Sequence, residues 1–256
     1  METLRLLPDR TARLLERTTL ARNAEAVSYI AWNLLLILGL FFIVLNNIVY
    51  DWTGSLYSSG FHLNTALDNA IPFAPSWAIF YLYLFYPLSA ATMVYFAFVK
   101  YRLGYALGWA LVVINFVSDL IYTLFPVTTD MYRAELLSHP ISGNAFATAM
   151  YGYFQTDTSF NCFPSLHASV AVICFYTWYR YARGRHNTVI TLVAVVMGIT
   201  AVGVMLSTLF VKQHYIVDEI AGLLLAWAAG AWAYGKYGVV PPVRKVKRER
   251  ENKNEE

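Results

Sequence analysis

Long windows almost free of charge constrain this chain more than any other feature. Six of them, 27–49, 76–99, 103–125, 165–182, 188–211 and 214–233, are long enough to cross roughly 30 Å of hydrocarbon as helices. Composition agrees: 58% of the residues are apolar and 14% charged, against about 45–50% and 25% in a soluble domain. A water-soluble globule is excluded. The expectation is an all-α integral membrane bundle of six transmembrane helices in one domain. It comprises a cytoplasmic N-terminal segment 1–26, a six-helix core 27–240 and a charged cytoplasmic tail 241–256. The first window begins too deep in the chain and runs too long for a cleaved leader, so it is expected to stay. Cys162 and Cys174 are too few for a disulfide framework.

Basic residues orient the bundle, because short cytoplasmic loops collect Lys and Arg. An even number of spans puts both termini on one side. The N-terminal arginines (Arg5 to Arg22), Lys100 and Arg102, the turn Arg180 to Arg185, and the C-terminal cluster from Lys236 onward all fall there. That side is expected to be cytoplasmic. Only Arg133 and Lys212 remain for the opposite face, where a cation needs a use. The same face carries the long loops 50–75 and 126–164.

Topology brings His167, just inside span 165–182, and His214, at the start of span 214–233, to the same depth on the non-cytoplasmic side. Asp218 follows His214 by four residues, which on a helix places both on one face. There a carboxylate can accept the proton of one ring nitrogen and leave the other as a nucleophile. Ser165, after Pro164, stands at a helix start whose unpaired N–H groups suit an anion. Two imidazoles, a carboxylate, a helix start and two cations suit phosphoryl transfer, where positioning and charge neutralisation dominate. His214 would attack phosphorus. His167 would protonate the departing oxygen and then activate the acceptor.

These residues resemble the type 2 phosphatidic acid phosphatases, whose pattern is an outer-loop Arg, then Pro-Ser-x-His, then Ser-Arg-x5-His-x3-Asp. Arg133 fits the first element, Pro164-Ser165-Leu166-His167 the second, and Ser207-Thr208 with His214 and Asp218 the third. The resemblance implies His214 as nucleophile, Asp218 as its partner and His167 as acid and base. It also implies Arg133, Ser165 and Ser207 at the substrate phosphate. Thr208 stands where the family usually has Arg, Ala134 where Pro follows the first Arg, and Pro126 where a Lys precedes it. Lys212, one turn beyond Thr208, is expected to project its ammonium into the vacated place. Leu166 and the run 214–222 look more like the branch with inositol phosphorylceramide synthase and sphingomyelin synthase, which transfers head groups.

The first functional reading is a lipid phosphatase hydrolysing a lipid phosphate or pyrophosphate through a phosphohistidine. The runner-up is a phospholipid head-group phosphotransferase using the same histidines. Two other readings stay open: a zinc hydrolase on His167, His214 and Asp218, and a transporter or scaffold that has lost the chemistry. No cofactor, metal or nucleic acid is expected; the partners are a membrane lipid phosphate and the bilayer. Asp119 inside span 103–125 is expected to face the bundle interior and bond a tyrosine or Arg133. Glu219, about 100° around the helix from Asp218, is expected to face another surface.

Overall fold

A computed structural model describes residues 48, 49 and 51–237, with the side chains of 101 and 102 excepted. The expected first span, the N-terminal arginines and the C-terminal tail beyond 237 lie outside the described residues, apart from residues 48 and 49. Among the described residues the structure is all-helical: α1 (Ala66–Ala70), α2 (Phe85–Val99), α3 (Tyr101–Leu124), α4 (Asp130–Ser138), α5 (Ala145–Thr156), α6 (Leu166–Ala182), α7 (Thr188–Phe210) and α8 (Ile216–Lys236). A 3₁₀ turn, Pro75–Trp77, and a π-helical stretch, Ile79–Leu84, lead into α2. Extended pairing is limited to isolated bridges of Val127 with Phe61 and Asn161.

Four helical stretches are long and apolar enough to cross a membrane: Pro75–Val99, Leu103–Leu124, Thr188–Phe210 and Ile216–Lys236. They correspond to four of the six expected spans. The fifth, α6, has 17 residues, or about 25 Å at 1.5 Å per residue, and is the helix the others surround, packing against α2, α3, α7 and α8. Its small residues Ala168, Ser169 and Ala171 are buried and let the backbones approach closely. At one such contact Ser169 Oγ donates to the Gly222 carbonyl at 2.9 Å. Buried polar side chains pair across the helices: Trp178 Nε1 donates to Thr92 Oγ1 at 2.9 Å, and the Thr177 and Tyr234 hydroxyls hydrogen-bond each other. Such interhelical bonds contribute about 0.6 kcal/mol each in a bilayer.

The outward faces run the other way. Val189, Leu192, Val195, Ile199 and Val202 on α7, and Ile220, Leu224 and Trp227 on α8, are exposed. A continuous apolar surface of this extent needs a covering, and lipid tails supply one. Local caps set where the helices begin. Asn187 accepts the Ile190 N–H at the start of α7, Asn144 accepts those of Phe146 and Ala147 at α5, and Ser165 Oγ accepts the Ala168 N–H at α6. The starts of α6 and α8 meet, since Ser165 N–H donates to the Asp218 carbonyl at 3.0 Å. Lys100, Arg180, Arg183 and Arg185 sit at the far ends of α2 and α6 from this junction.

Candidate active site

At that junction His167 Nδ1 and His214 Nε2 lie 3.3 Å apart. His167 is carried on the first turn of α6, against the rings of Tyr81 and Phe85, with centroids 4.7 and 5.0 Å away. His214 lies two residues before α8 rather than on it. Its N–H and that of Gln213 both donate to the Thr208 carbonyl, and the extended Tyr215 separates it from the helix. The spacing to Asp218 still works, but through a turn instead of a helix face. His214 Nδ1 is 3.5 Å from Asp218 Oδ2 and only 2.8 Å from the Cys162 carbonyl oxygen.

That carbonyl fixes the tautomer. An oxygen without a proton can only accept, so Nδ1 carries the hydrogen and the neutral ring keeps its lone pair on Nε2, the nitrogen facing His167. Asp218, fully buried, accepts the Tyr215 N–H at 2.8 Å on the same oxygen that faces His214. Burial pulls His214 toward the neutral form. The Asp218 carboxylate, Glu219 and the Cys162 carbonyl outweigh that pull and hold its pKa above the ordinary imidazole value.

Arg133, on α4, reaches this cluster from the outer loop. It forms an ion pair with Asp157 in which both side chains are buried, 5% and 3% exposed. Its Nη1 donates to the Asp157 carbonyl at 3.2 Å and its Nη2 to Gln213 Oε1 at 2.8 Å, one residue from His214. Nε is buried with no hydrogen-bond partner. The partner is therefore Asp157 rather than Asp119, which is buried on α3.

The structure thus gathers His167, His214, Asp218 and Ser165, with Arg133 joined through Gln213. Two expected members are turned elsewhere. Ser207 donates to the Trp77 carbonyl at 2.6 Å. Lys212 sits at φ 58°, and its ammonium donates to the Asp68 carbonyl at 2.8 Å, 4.5 Å from the centre of the Tyr132 ring. The left-handed turn at Lys212 redirects a side chain that helical spacing would have aimed at the site.

Sequence reasoning missed three participants. Asp157 and the Cys162 carbonyl carry no local signal. Glu219, expected to face another surface than Asp218, is 3% exposed and accepts the Thr208 hydroxyl at 2.8 Å. The end of α7 packs over that side of α8, and the Thr208 hydroxyl offers the acid a donor there.

Cys162 Sγ, a His214 nitrogen and an Asp218 oxygen lie within 4.8 Å of one another, a possible metal-ligand cluster among the described residues. The thiol, however, donates to the Ser159 and Gln213 carbonyls, and burial pushes its ionisation upward. Both effects oppose the thiolate a zinc ion requires. In this arrangement the thiol serves as a hydrogen-bond donor to the two carbonyls.

A family model described as the PAP2 superfamily matches residues 55–232, a stretch that contains every residue of the site. No curated protein and no solved structure matches the chain. By that match over more than half its length, with the histidine pair inside it, the chain belongs to the PAP2 superfamily.

Proposed function

We propose that the protein is a membrane lipid phosphatase that hydrolyses a lipid phosphate or pyrophosphate through a phosphohistidine on His214. The observation that carries this reading is the lone pair of His214 Nε2, left free by the Nδ1–H bond to Cys162 and set 3.3 Å from a second imidazole. A substrate phosphate would replace that imidazole contact. Nε2 attacks phosphorus and the N–P bond forms as the bond from phosphorus to the lipid oxygen breaks, with His167 giving that oxygen its proton. Water then attacks the phosphohistidine and returns a proton to His167, the N–P bond breaks, and phosphate leaves. Asp218 supports the positive charge on His214 during the first step, and Arg133 and the start of α6 at Ser165 bind the equatorial oxygens. In this reading Lys212 and Ser207 hold the surrounding loops and do not touch the phosphate.

The site would face the non-cytoplasmic side of a six-span protein with both termini cytoplasmic. Support comes from the basic residues Lys100, Arg180, Arg183 and Arg185, which stand at the helix ends opposite the histidines. A second reading, head-group transfer to a lipid or polyol hydroxyl, is favoured by one observation: both outer-face cations already have protein partners. The test is incubation of purified protein with ³²P-labelled phosphatidate or labelled phospholipid, scoring free phosphate, new labelled lipid and acid-labile protein label. Free phosphate supports the first reading and a new lipid the second. Turnover that survives His214→Ala overturns both.

A further inference from the structure

Buried hydrogen-bond donors flank the histidine pair on both sides without acceptors to match. Beside His167 stands Tyr81, fully buried in the π-helical stretch Ile79–Leu84, with its ring 4.7 Å from the imidazole by centroids. Such π turns are frequent at functional sites. The Tyr81 hydroxyl has no hydrogen-bond partner. The Tyr153 ring meets Tyr81 edge-on at 5.5 Å, and its phenol lies beside the Tyr81 hydroxyl but outside hydrogen-bond geometry. The Arg133 guanidinium is near enough for its charge to act on both phenols. Tyr81 thus neighbours both His167 and Arg133. On the other flank Gln213 immediately precedes His214 and is 4% exposed. Its amide fits one way round. Arg133 Nη2 donates to it at 2.8 Å, and a guanidinium cannot accept, so the atom facing Arg133 is Oε1. Nε2, which can only donate, is then buried without an acceptor. Arg133 Nε is a third buried donor in the same state.

A buried donor left without an acceptor is costly, and three around one histidine pair call for an acceptor that binds there. Charge points the same way. Thr208 and Pro126 stand where the resembling family has cations, Arg133 is paired with Asp157, and the Lys212 ammonium is turned onto the Asp68 carbonyl. An anion entering this site is therefore met largely by neutral groups. We propose that Tyr81 and Gln213 are ligands of the substrate phosphate, two neutral donors that take over from the missing family cations. The inference rests on the phosphoryl-transfer reading above and adds to it two residues that no motif position assigns. A phosphate held by both His214 and Arg133 reaches the Gln213 amide that joins them, and one that takes the His167 proton adjoins Tyr81. Loss of one hydrogen bond to an ionised group weakens an interaction about 10- to 10²-fold.

The experiment uses the full chain in detergent micelles, with dioctanoyl phosphatidate as the probe and dioctanoylglycerol, which lacks the phosphate, as its control. Binding is measured by calorimetry in the His214→Ala background, where no chemistry intervenes, and kcat/KM with His214 intact. Tyr81→Phe deletes one hydroxyl and keeps the ring against His167. It is expected to weaken phosphatidate binding and lower kcat/KM at least about tenfold, leaving dioctanoylglycerol binding unchanged. Its melting temperature should equal or exceed the parent's, since phenylalanine buries no unpaired hydroxyl. Gln213→Met should weaken phosphatidate binding by a similar factor, and should do so again when Arg133→Met and Asp157→Leu are already present, because the amide itself donates. In that background no guanidinium needs the Gln213 oxygen, so the substitution stays measurable even if it fails to fold alone. Unchanged phosphatidate affinity in Tyr81→Phe overturns the proposal. So does a loss shared equally by dioctanoylglycerol, or a Gln213→Met effect that vanishes once Arg133 is gone. Phosphatidate bound with the expected dependence but never turned over removes the phosphoryl-transfer reading alone. Turnover that neither substitution alters removes the proposal alone, and absence of both binding and turnover removes both.

Discussion

Removing Asp157 should unfold the outer face of this protein more effectively than removing Arg133, and removing both should do neither. The pair is buried on both sides, with side chains 5% and 3% exposed. Taking away one partner of such a pair typically costs about 3–5 kcal/mol, because the other charge stays behind without its counter-ion. In Asp157→Ala the guanidinium keeps two neutral acceptors, the residue 157 carbonyl and Gln213 Oε1, which places the loss near the lower end, about 3 kcal/mol. Arg133→Met should cost less. Burial already pushes Asp157 toward its protonated form, so the stranded acid can take up a proton, an escape closed to arginine. The double substitution Arg133→Met with Asp157→Leu removes both charges and should return to within about 1 kcal/mol of the parent. Reversible unfolding in mixed micelles measures all three. Turnover of a lipid phosphate separates fold from function: a phosphate ligand is worth about 10²–10³ in rate, so the double variant should be stable and nearly inactive. An additive double variant would refute the pairing argument, and a double variant with full activity would refute the role of Arg133 at the phosphate.

Three further outcomes follow from the same geometry. The pKa of His214 is held above its ordinary value by Asp218 and its neighbours, and only the neutral ring has a lone pair on Nε2. Activity should therefore rise with pH through the raised His214 value, and Asp218→Asn should move this acidic limb to lower pH while reducing kcat. The stability that protonated His214 contributes is fully present below its unfolded value, about 6.5, and is lost as pH rises through the folded one; Asp218→Asn should flatten that loss in thermal scans. Gly222→Ala should disturb the junction of α6 and α8, because a Cβ there falls 2.4 Å from the Ser165 carbonyl oxygen. The cost is about 1–3 kcal/mol, with Gly235→Ala, which meets open space, as the harmless control. Lys212→Met should lower stability by about 1–2 kcal/mol through loss of the bond to Asp68, and leave KM for the lipid phosphate unchanged. A raised KM would restore the ammonium to the phosphate site.

What the sequence made legible was whatever depends on hydropathy or on short spacing. Four spans and the helix start at Ser165 follow from local composition. The approach of His167 to His214 follows from topology alone, once both stand at the same ends of two neighbouring helices. The separation of four between His214 and Asp218 also held, although a turn and not a helix brings them together. Lys212 was misdirected because its aim depends on a positive φ, which a lysine gives no reason to expect. Asp157 was invisible for another reason: an acid in a polar loop has many possible partners, and only the packing of α4 against α5 selects Arg133. Glu219 shows the same limit. Helical geometry gives its direction relative to Asp218, but not that the end of α7 lies in that direction.

The turn that carries His214 has no backbone donor left to offer a ligand. The Gln213 and His214 N–H groups go to the Thr208 carbonyl, that of Tyr215 to Asp218 Oδ2, and that of Ile216 to Asp68 Oδ1 at 2.7 Å. Asp68 is itself fixed by the Thr65 N–H and hydroxyl, at 2.7 and 2.6 Å, so the short helix α1, nearly 150 residues away in sequence, ties down the start of α8. A turn so fully bonded is rigid, which suits a side chain that must be aimed but makes it a poor anion cradle. The unpaired main-chain donors lie across the gap instead, in the first turn of α6, where Leu166 and His167 have no intrahelical acceptor. A phosphate in this site would therefore meet the His214 ring, held in the turn before α8, on one side and main-chain N–H groups from α6 on the other. The contact between Ser165 N–H and the Asp218 carbonyl holds those two halves in register. Loosening that one junction should reduce the rate of attack more than it weakens phosphate binding, since the donors on α6 remain while the angle of approach to Nε2 is lost.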